Sequence, residues 1–337
     1  MALLKSPLPP LGKGGIKICV AGSICYGFAM SYIGKVWRGW GGALGMIVSF
    51  ASCLDKNSIL YPVCKIAEGD FANIKERLSE FTNIDFSGVI FDNTDYHLTF
   101  HPTKDERRLW MEINSQPIKA EDLKPFWDCD AIVINFFTHQ DFILSTIQET
   151  RENSNALLFL DIHQKTTWMD EDGFILRTRW EDWADWLKYV DILQASQYEF
   201  SLLFGGRPIE DLSRCIDLAK EILNIGVSQI IITLGSSGSL LILKDRRHIY
   251  IPATTHKAID TIGCGDAFGA GYVVSILNGK SPTEALAWGN TVAGLNSTFL
   301  GYMRGITLQV IEEEIKKEYD IANLQSPYPL YKGENNC

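Results

Sequence analysis

The chain has 337 residues, of which 46% are hydrophobic, and carries a formal net charge of −10 at pH 7. That length supports one large core, or a core with a smaller appendage. Because an acidic surface repels nucleic-acid phosphates and anionic membranes, the composition predicts neither as a partner. A local pocket for a small molecule remains compatible with it.

The two ends of the chain and its cysteines suggest a location. No apolar run reaches the ~18 residues of a membrane span, and the start has no apolar core typical of a secretion signal. Its proline and glycine content predicts a disordered lead-in over residues 1–15. Residues 321–337 are predicted to form a tail. Eight cysteines without a CxxC pair indicate reduced thiols, and so a cytoplasmic protein.

Short continuous apolar runs recur along the chain and are typical of strands buried on both faces of a sheet. They cover residues 16–23, 131–137, 156–162, 191–196 and 229–235. Between them, residues 140–154 and 211–226 place apolar side chains three and four apart, as in helices. This alternation predicts an α/β fold in which a mainly parallel sheet has helices on both faces.

Residues 96–114 interrupt the alternation. Two strand-like pieces flank the polar sequence PTKDERR, which predicts a hairpin that projects from the α/β core. Such a flap would close over a pocket or pair with a second subunit. An ordinary surface hairpin explains the pattern equally well.

A glycine-rich stretch at residues 260–273, DTIGCGDAFGAGYV, precedes a helical pattern. At the start of a helix the backbone N–H groups lack intrahelical partners and carry the positive end of the helix dipole. Small residues let a phosphate approach those groups, so the stretch predicts a phosphate site. Asp266 beside it is either the base that takes a proton from an attacking hydroxyl or a helix cap. The pattern alone favours neither.

Read as D-T-x-G-x-G-D-x-F, residues 260–268 resemble the C-terminal signature of the ribokinase-like (PfkB) carbohydrate kinases. Further segments resemble that family in the expected order: Gly41 with Gly42, and residues 159–165, 191–205, 230–242 and 285–297. The resemblance covers about residues 17–305. It implies a Rossmann-like α/β domain over residues 16–320, with a small β lid formed by segments near 24–40 and 90–115.

The resemblance also implies an activity, namely ATP-dependent phosphorylation of an alcohol group on a small carbohydrate-like substrate. Asp266 would be the base, and the amides of Gly263, Cys264 and Gly265 would form the anion hole. The implied nucleotide contacts are Thr233, Gly235, Gly238 and Asn290. The implied substrate contacts are Gly41, Gly42, His163 and Lys165. Glu199 would support Mg²⁺ through water.

Two further features are implied for parts of the family. One is activation by a monovalent cation such as K⁺, and the other is a homodimer that forms through the lid.

The substrate half departs from the family pattern. Gly27 stands near the position of a sugar-binding aspartate, and the usual asparagine after the glycine pair is replaced by apolar or small residues at 44–46. His163 and Lys165 replace the asparagine and arginine of D-x-N-x-R, and Ser196 replaces the asparagine of N-x-x-E. The acceptor is therefore not defined by the sequence.

Two alternatives follow from these departures. One is a nucleoside kinase, since the aromatic and apolar side chains of Tyr26, Phe28, Trp40 and Met46 would suit a flatter acceptor; they are equally well explained as core residues. The other is a non-catalytic descendant that binds a sugar or nucleotide. The intact sequence around Asp266 favours a kinase, because a protein that only binds needs no base beside its anion hole.

Overall fold

The protein is described by a computed structural model over residues 14–30, 36–91, 95–102, 107–114, 116–171, 175–206, 209 and 211–320. For residues 27–30, 36–38, 95–102 and 107–114 it gives the backbone alone. Most of the predicted lead-in and the whole of the predicted tail, residues 321–337, lie outside these ranges.

The secondary structure alternates between strands and helices along most of the chain. The strands are β1 (Lys17–Ala21), β2 (Ile24–Met30), β3 (Val36–Gly42), β4 (Ile59–Ile66), β5 (Val89–Phe91), β6 (Asp95–Pro102), β7 (Arg107–Asn114), β8 (Ala131–Asn135), β9 (Leu157–Asp161), β10 (Thr167–Met169), β11 (Ile175–Arg177), β12 (Ile192–Ser196), β13 (Gln229–Thr233), β14 (Ser239–Leu243) and β15 (His248–Ile251). The helices are α1 (Ala43–Cys53), α2 (Glu68–Arg77), α3 (Ala120–Leu123), α4 (Leu144–Asn153), α5 (Trp183–Leu187), α6 (Gln197–Leu203), α7 (Leu212–Asn224), α8 (Cys264–Leu277), α9 (Pro282–Ser297) and α10 (Leu308–Glu318).

Nine strands form the main sheet, in the order β15-β14-β13-β12-β9-β8-β1-β4-β5. In this spatial order, all neighbouring strands between β13 and β5 are parallel, and β14 and β15 add an antiparallel edge next to β13. Alternate side chains of β1 enter opposite cores. Ile18 and Val20 belong to the core that includes α1, α8 and α9, whereas Cys19 and Ala21 belong to the core that includes α4 and α7. The predicted α/β class is confirmed.

The predicted strand 131–137 ends early, at Asn135, and the predicted helix 140–154 starts late, at Leu144. Both differences have one cause, the buried carboxylate of Asp141. The backbone N–H groups of Phe137 and Thr138 donate to its Oδ2 at 2.6 and 2.8 Å. A turn around Asp141 therefore replaces the end of the strand and the first turn of the helix.

A separate four-stranded sheet, in the order β3-β2-β6-β7, forms the lid. Strands β6 and β7 are the predicted hairpin, and β2 and β6 pair in parallel. Residues 89–91 pair with β4 in the main sheet, so the second lid segment starts at Asp95. At the base of the lid, Ser23 Oγ donates to Asp141 Oδ1 at 2.7 Å, and Ala43 N donates to Ser23 O at 2.9 Å. Within the described ranges, no helix combines the length and apolar character that crossing a membrane requires.

Gly42 links the lid to α1, and we expect the Gly42→Ala variant to lose stability. The backbone at Gly42 has φ 66° and ψ −138°, a region that is costly for any residue with a side chain, by about 1–3 kcal/mol. A methyl group there would also lie 2.3 Å from Ser23 O. Denaturant unfolding should therefore give a free energy of unfolding lower by at least about 2 kcal/mol.

The matched control is Gly69→Ala. Gly69 lies within α2 and has open space around its Cα, so alanine there should leave stability unchanged or raise it slightly. Equal unfolding free energies for Gly42→Ala and wild type would show that the backbone at Gly42 is not constrained.

Candidate active site

The predicted phosphate site is the N-terminus of α8. Gly263 caps this helix in a left-handed conformation with φ 73°, and Cys264, Gly265 and Asp266 form its first turn. The Cys264 N–H is partly used within the preceding turn, because it donates to Thr261 O at 3.3 Å. The N–H groups of Gly265 and Asp266 lie where a helix supplies no acceptor. A bound anion would thus be met mainly by these last two amides.

Asp266 is buried at this helix start, with 8% of its surface exposed. Asn135 Nδ2, at the carboxyl end of β8, donates to its Oδ1 at 3.0 Å. Burial raises the pKa of Asp266 to about 6, although His163 and the Asn135 hydrogen bond act in the opposite direction. A carboxylate with this pKa can accept and release a proton near neutral pH.

Two further carboxylates, Asp161 and Glu199, lie near Asp266. Burial, together with the charges of Glu199 and Asp266, raises the pKa of Asp161 well above its usual range. Gln194 Nε2 ties this group to α8, since it donates to Asp161 Oδ2 at 3.2 Å and to Gly265 O at 2.9 Å. The mutual repulsion of these acids would be relieved by a cation.

The residues present fit Mg²⁺ held through water. Glu199 Oε2 accepts from Ser196 N at 2.8 Å, which closes a capping box at the start of α6 and fixes the glutamate. The three acids do not form a tight cage. Over the described residues, the three-residue group whose ligand atoms all lie within 4.8 Å is His256, Glu314 and Glu318, on other elements. Mg²⁺ commonly keeps several waters and is completed by substrate phosphates.

The two predicted substrate residues after β9 behave differently. His163 has φ 39°, which is uncommon for a residue other than glycine, and it lies close enough to Asp266 to lower its pKa. Lys165 is held by aromatic rings, with Nζ 3.9 Å from the centre of the Trp186 ring. It also donates to His139 O at 3.3 Å, and burial lowers its pKa to about 8. The structure thus brings His163, but not the Lys165 ammonium, to Asp266.

The first turn of α1, which directly follows the glycine pair, lies beside the same carboxylate. Gly41 and Gly42 end β3, and α1 follows directly. A methyl group on Gly45, in the first turn of α1, would lie 3.0 Å from Asp266 Oδ2. The N-termini of α1 and α8 therefore converge at Asp266.

The predicted nucleotide residues lie on three elements: Thr233 is the last residue of β13, Gly235 and Gly238 lie in the turn after it, and Asn290 lies on α9. Thr233 ends β13 opposite Ser196, and Gly235 and Gly238 both have positive φ in the turn that follows. Asn290 Nδ2 donates to Ile251 O at 3.2 Å and to Pro252 O at 3.1 Å. This amide holds the end of β15 against α9, so any influence of Asn290 on a nucleotide would be through positioning.

Four residues around Asp266 were missed by sequence reasoning: Asn135, Asp161 as a separate charged group, Gln194 and Tyr302. Tyr302 lies close to Asp266, because a methyl group on Gly45 would lie 2.3 Å from Tyr302 Cε1 and 3.0 Å from Asp266 Oδ2. The first three share a signal, since each is a polar residue at or near the carboxyl end of a buried apolar strand. Ligand sites in parallel sheets lie at that edge. Tyr302 had no such signal.

Comparison with known proteins identifies the family of this chain. The model of the pfkB family carbohydrate kinases matches residues 113–303. The 2-dehydro-3-deoxygluconokinase of Escherichia coli K12 is 23% identical over 272 residues, which cover 77% of this chain and 83% of that protein. The ribokinase of Arabidopsis thaliana is 34% identical over 112 residues, 32% of this chain and only 29% of that protein.

Solved structures show the same fold. Ribokinase from Thermotoga maritima has a TM-score of 0.69 at 21% identity and covers 89% of this chain and 99% of that one. A pyrophosphate-dependent kinase in the ribokinase family, complexed with a pyrophosphate analog and myo-inositol, has a TM-score of 0.71 at 18% identity, covering 88% and 99%. Since the family model spans more than half of the chain, the chain belongs to the pfkB family and is a carbohydrate kinase.

Proposed function

We propose that this kinase transfers the γ-phosphoryl group of ATP to an alcohol group of a small carbohydrate-like acceptor, with Asp266 as the base. The observation that carries the proposal is the position of Asp266, a buried carboxylate with a pKa of about 6 at the N-terminus of α8. A helix cap would need neither this burial nor this pKa. A base for an alcohol next to a phosphate site needs both.

In this mechanism the acceptor hydroxyl gives its proton to Asp266 while its oxygen attacks the γ-phosphorus. A new P–O bond forms, and the bond to the ADP oxygen breaks in line with it. The amides of Gly265 and Asp266 stabilise the charge on the transferred group, with those of Gly263 and Cys264 beside them. Asn135 orients the carboxylate through its hydrogen bond. The lid would exclude water, which competes as an acceptor.

Mg²⁺, when bound, would neutralise phosphate charge, and Glu199 would hold it through water. We propose that Asp161 shares this role, because the charge of Glu199 acts on it. The chain's own residues bring the positive ends of two helices and three carboxylates to one place. A cation between the carboxylates and the phosphates would make their proximity favourable.

The acceptor is proposed as a sugar or sugar derivative, with a nucleoside as the alternative. ATP is proposed as the donor because the turn after β13 resembles the nucleotide segment of the family. One structural neighbour is a pyrophosphate-dependent kinase, so pyrophosphate belongs in the same assay as a second donor. Activation by K⁺, a homodimer through the lid and a cytoplasmic location also stay predictions.

The Asp266→Asn variant tests the role of the base. Asparagine keeps the size of the side chain but cannot take the proton, so we expect kcat to fall by about 10²–10⁴-fold while the Kd for ATP stays nearly unchanged. ADP release with a panel of sugars, polyols and nucleosides measures kcat, and calorimetry measures the Kd for ATP. Asp217→Asn, at an exposed carboxylate on α7, is the control for a changed charge. Turnover of Asp266→Asn at the wild-type rate would exclude Asp266 as the base.

The pH dependence tests the same group without removing it. Only deprotonated Asp266 accepts a proton, so kcat/KM for the acceptor should fall as the pH drops through about 6. Asn135→Ala removes a hydrogen bond that lowers this pKa, so its acidic limb should move to higher pH. Asn278→Ala, at the other end of α8, should leave the limb in place. If Asn135→Ala does not shift the acidic limb of the pH profile, then that limb does not report the titration of Asp266.

Glu199→Gln tests the proposed support of Mg²⁺. We expect the Mg²⁺ concentration for half-maximal activity to rise at least several-fold, because a carboxylate next to the metal waters is lost. Glu284→Gln is a closely matched control, since Glu284 closes the same kind of capping box with Ser281 at the start of α9. If Glu199→Gln and Glu284→Gln need the same Mg²⁺ concentration for half-maximal activity, then Glu199 does not support the metal.

A further inference from the structure

Tyr302 lies in the loop between α9 and α10, and its position is fixed from both sides. Gly301 N donates to Asp260 Oδ2 at 3.0 Å, and Met303 N donates to Asn296 Oδ1 at 3.0 Å. Asn296 Nδ2 in turn donates to Ile262 O at 2.8 Å, in the turn that precedes α8. The loop that carries Tyr302 and the turn that leads into the phosphate site are therefore held as one unit.

The Tyr302 ring fills space that three glycines leave open. A methyl group on Gly45 would lie 2.3 Å from its Cε1, and one on Gly263 would lie 2.9 Å from the same atom. One on Gly41 would lie 3.2 Å from the hydroxyl oxygen. The ring thus lies between the first turns of α1 and α8, and its hydroxyl lies beside Gly41.

Asp266 lies directly behind this ring. The methyl position on Gly45 that comes so close to the ring is also 3.0 Å from Asp266 Oδ2. The pKa of the Tyr302 hydroxyl is raised well above its usual range by burial and by the nearby charge of Asp266. The ring and the carboxylate are therefore neighbours.

Tyr302 also lines a cavity of about 950 Å³ between the lid and α2. Tyr26 and Trp40 of the lid, and Leu44 and Val48 of α1, line this cavity together with Tyr302. Asp266 is not among its described lining residues. Tyr302 therefore stands between the cavity and the carboxylate.

We propose that Tyr302 is a specificity-determining residue that sets the upper size of the acceptor able to reach Asp266. This inference rests on the proposed function. With the ring in place, only an acceptor small enough for the space that the ring leaves beside Asp266 would reach the carboxylate. Without the ring, that space would be continuous with the cavity under the lid, because close-packed surroundings refill such a gap only in part.

The test uses Tyr302→Ala and Tyr302→Phe with a panel graded by size, which includes glycerol, D-ribose, myo-inositol and adenosine. For Tyr302→Ala we expect kcat/KM for the larger acceptors, relative to the smaller ones, to rise at least tenfold over wild type. Tyr302→Phe keeps the ring and should keep the wild-type size limit. The Kd for ATP should be the same in all three proteins. The same size ranking in Tyr302→Ala as in wild type would overturn the proposal.

Two further measurements keep the test decisive. Tyr302→Leu, with its midpoint of thermal unfolding measured, replaces the alanine variant if that variant does not fold, and is expected to extend the size range less far. The Kd of each acceptor in the same panel, measured by calorimetry without ATP, gives the size limit even if the wild-type protein transfers no phosphate. Absence of turnover would refute the proposed function alone, whereas an unchanged size limit in binding would refute the role of Tyr302.

Discussion

The structure depends on the close meeting of two helix N-termini around one buried carboxylate. Gly45 presents no side chain where helices α1 and α8 converge, and a methyl group there would lie 2.3 Å from the Tyr302 ring and 3.0 Å from Asp266 Oδ2. Each helix brings the positive end of its dipole, which favours an anion in the gap between them. The lid, the glycine pair and the strand ends at Asn135 and Asp161 are arranged around this gap. In the proposed function, this single fold feature would determine where phosphate chemistry takes place.

The electrostatics of the site are unusual for a protein that handles phosphate. Its ionisable groups nearest to Asp266 include two further acids, Asp161 and Glu199. Lys165, a cation that could have balanced them, is directed into the rings of Phe136 and Trp186. Among the described residues, positive charge near Asp266 comes from His163, whose charge lowers the pKa of Asp266, and from backbone dipoles, and in the proposed function more would arrive with the donor. This links binding of the donor to relief of repulsion among the acids.

Much of the fold was predictable because fully buried parallel strands leave continuous apolar runs in the sequence. The glycine-rich start of α8 was predictable for a similar reason, since its local backbone demands small residues. Strand and helix ends near Asp141 were misplaced because its hydrogen bonds join residues whose types alone do not announce a turn. Asn135 and Gln194 were missed because a single amide carries no motif. Tyr302 was beyond reach, because its contacts with Gly45 and Gly263 depend on three distant segments that meet only in the folded chain.

The bonds of Ser23 have a consequence for how the lid can move. Ser23 immediately precedes the first lid strand, and Ala43 immediately follows the second. The two are joined to each other, and Ser23 is also joined to the buried Asp141. The residues directly before β2 and directly after β3 are thus held at the same point of the α/β core. The lid is therefore fixed to the core at one end only. A closing motion would move the outer part of the ribbon, whereas the end next to the glycine pair would keep its position relative to Asp266.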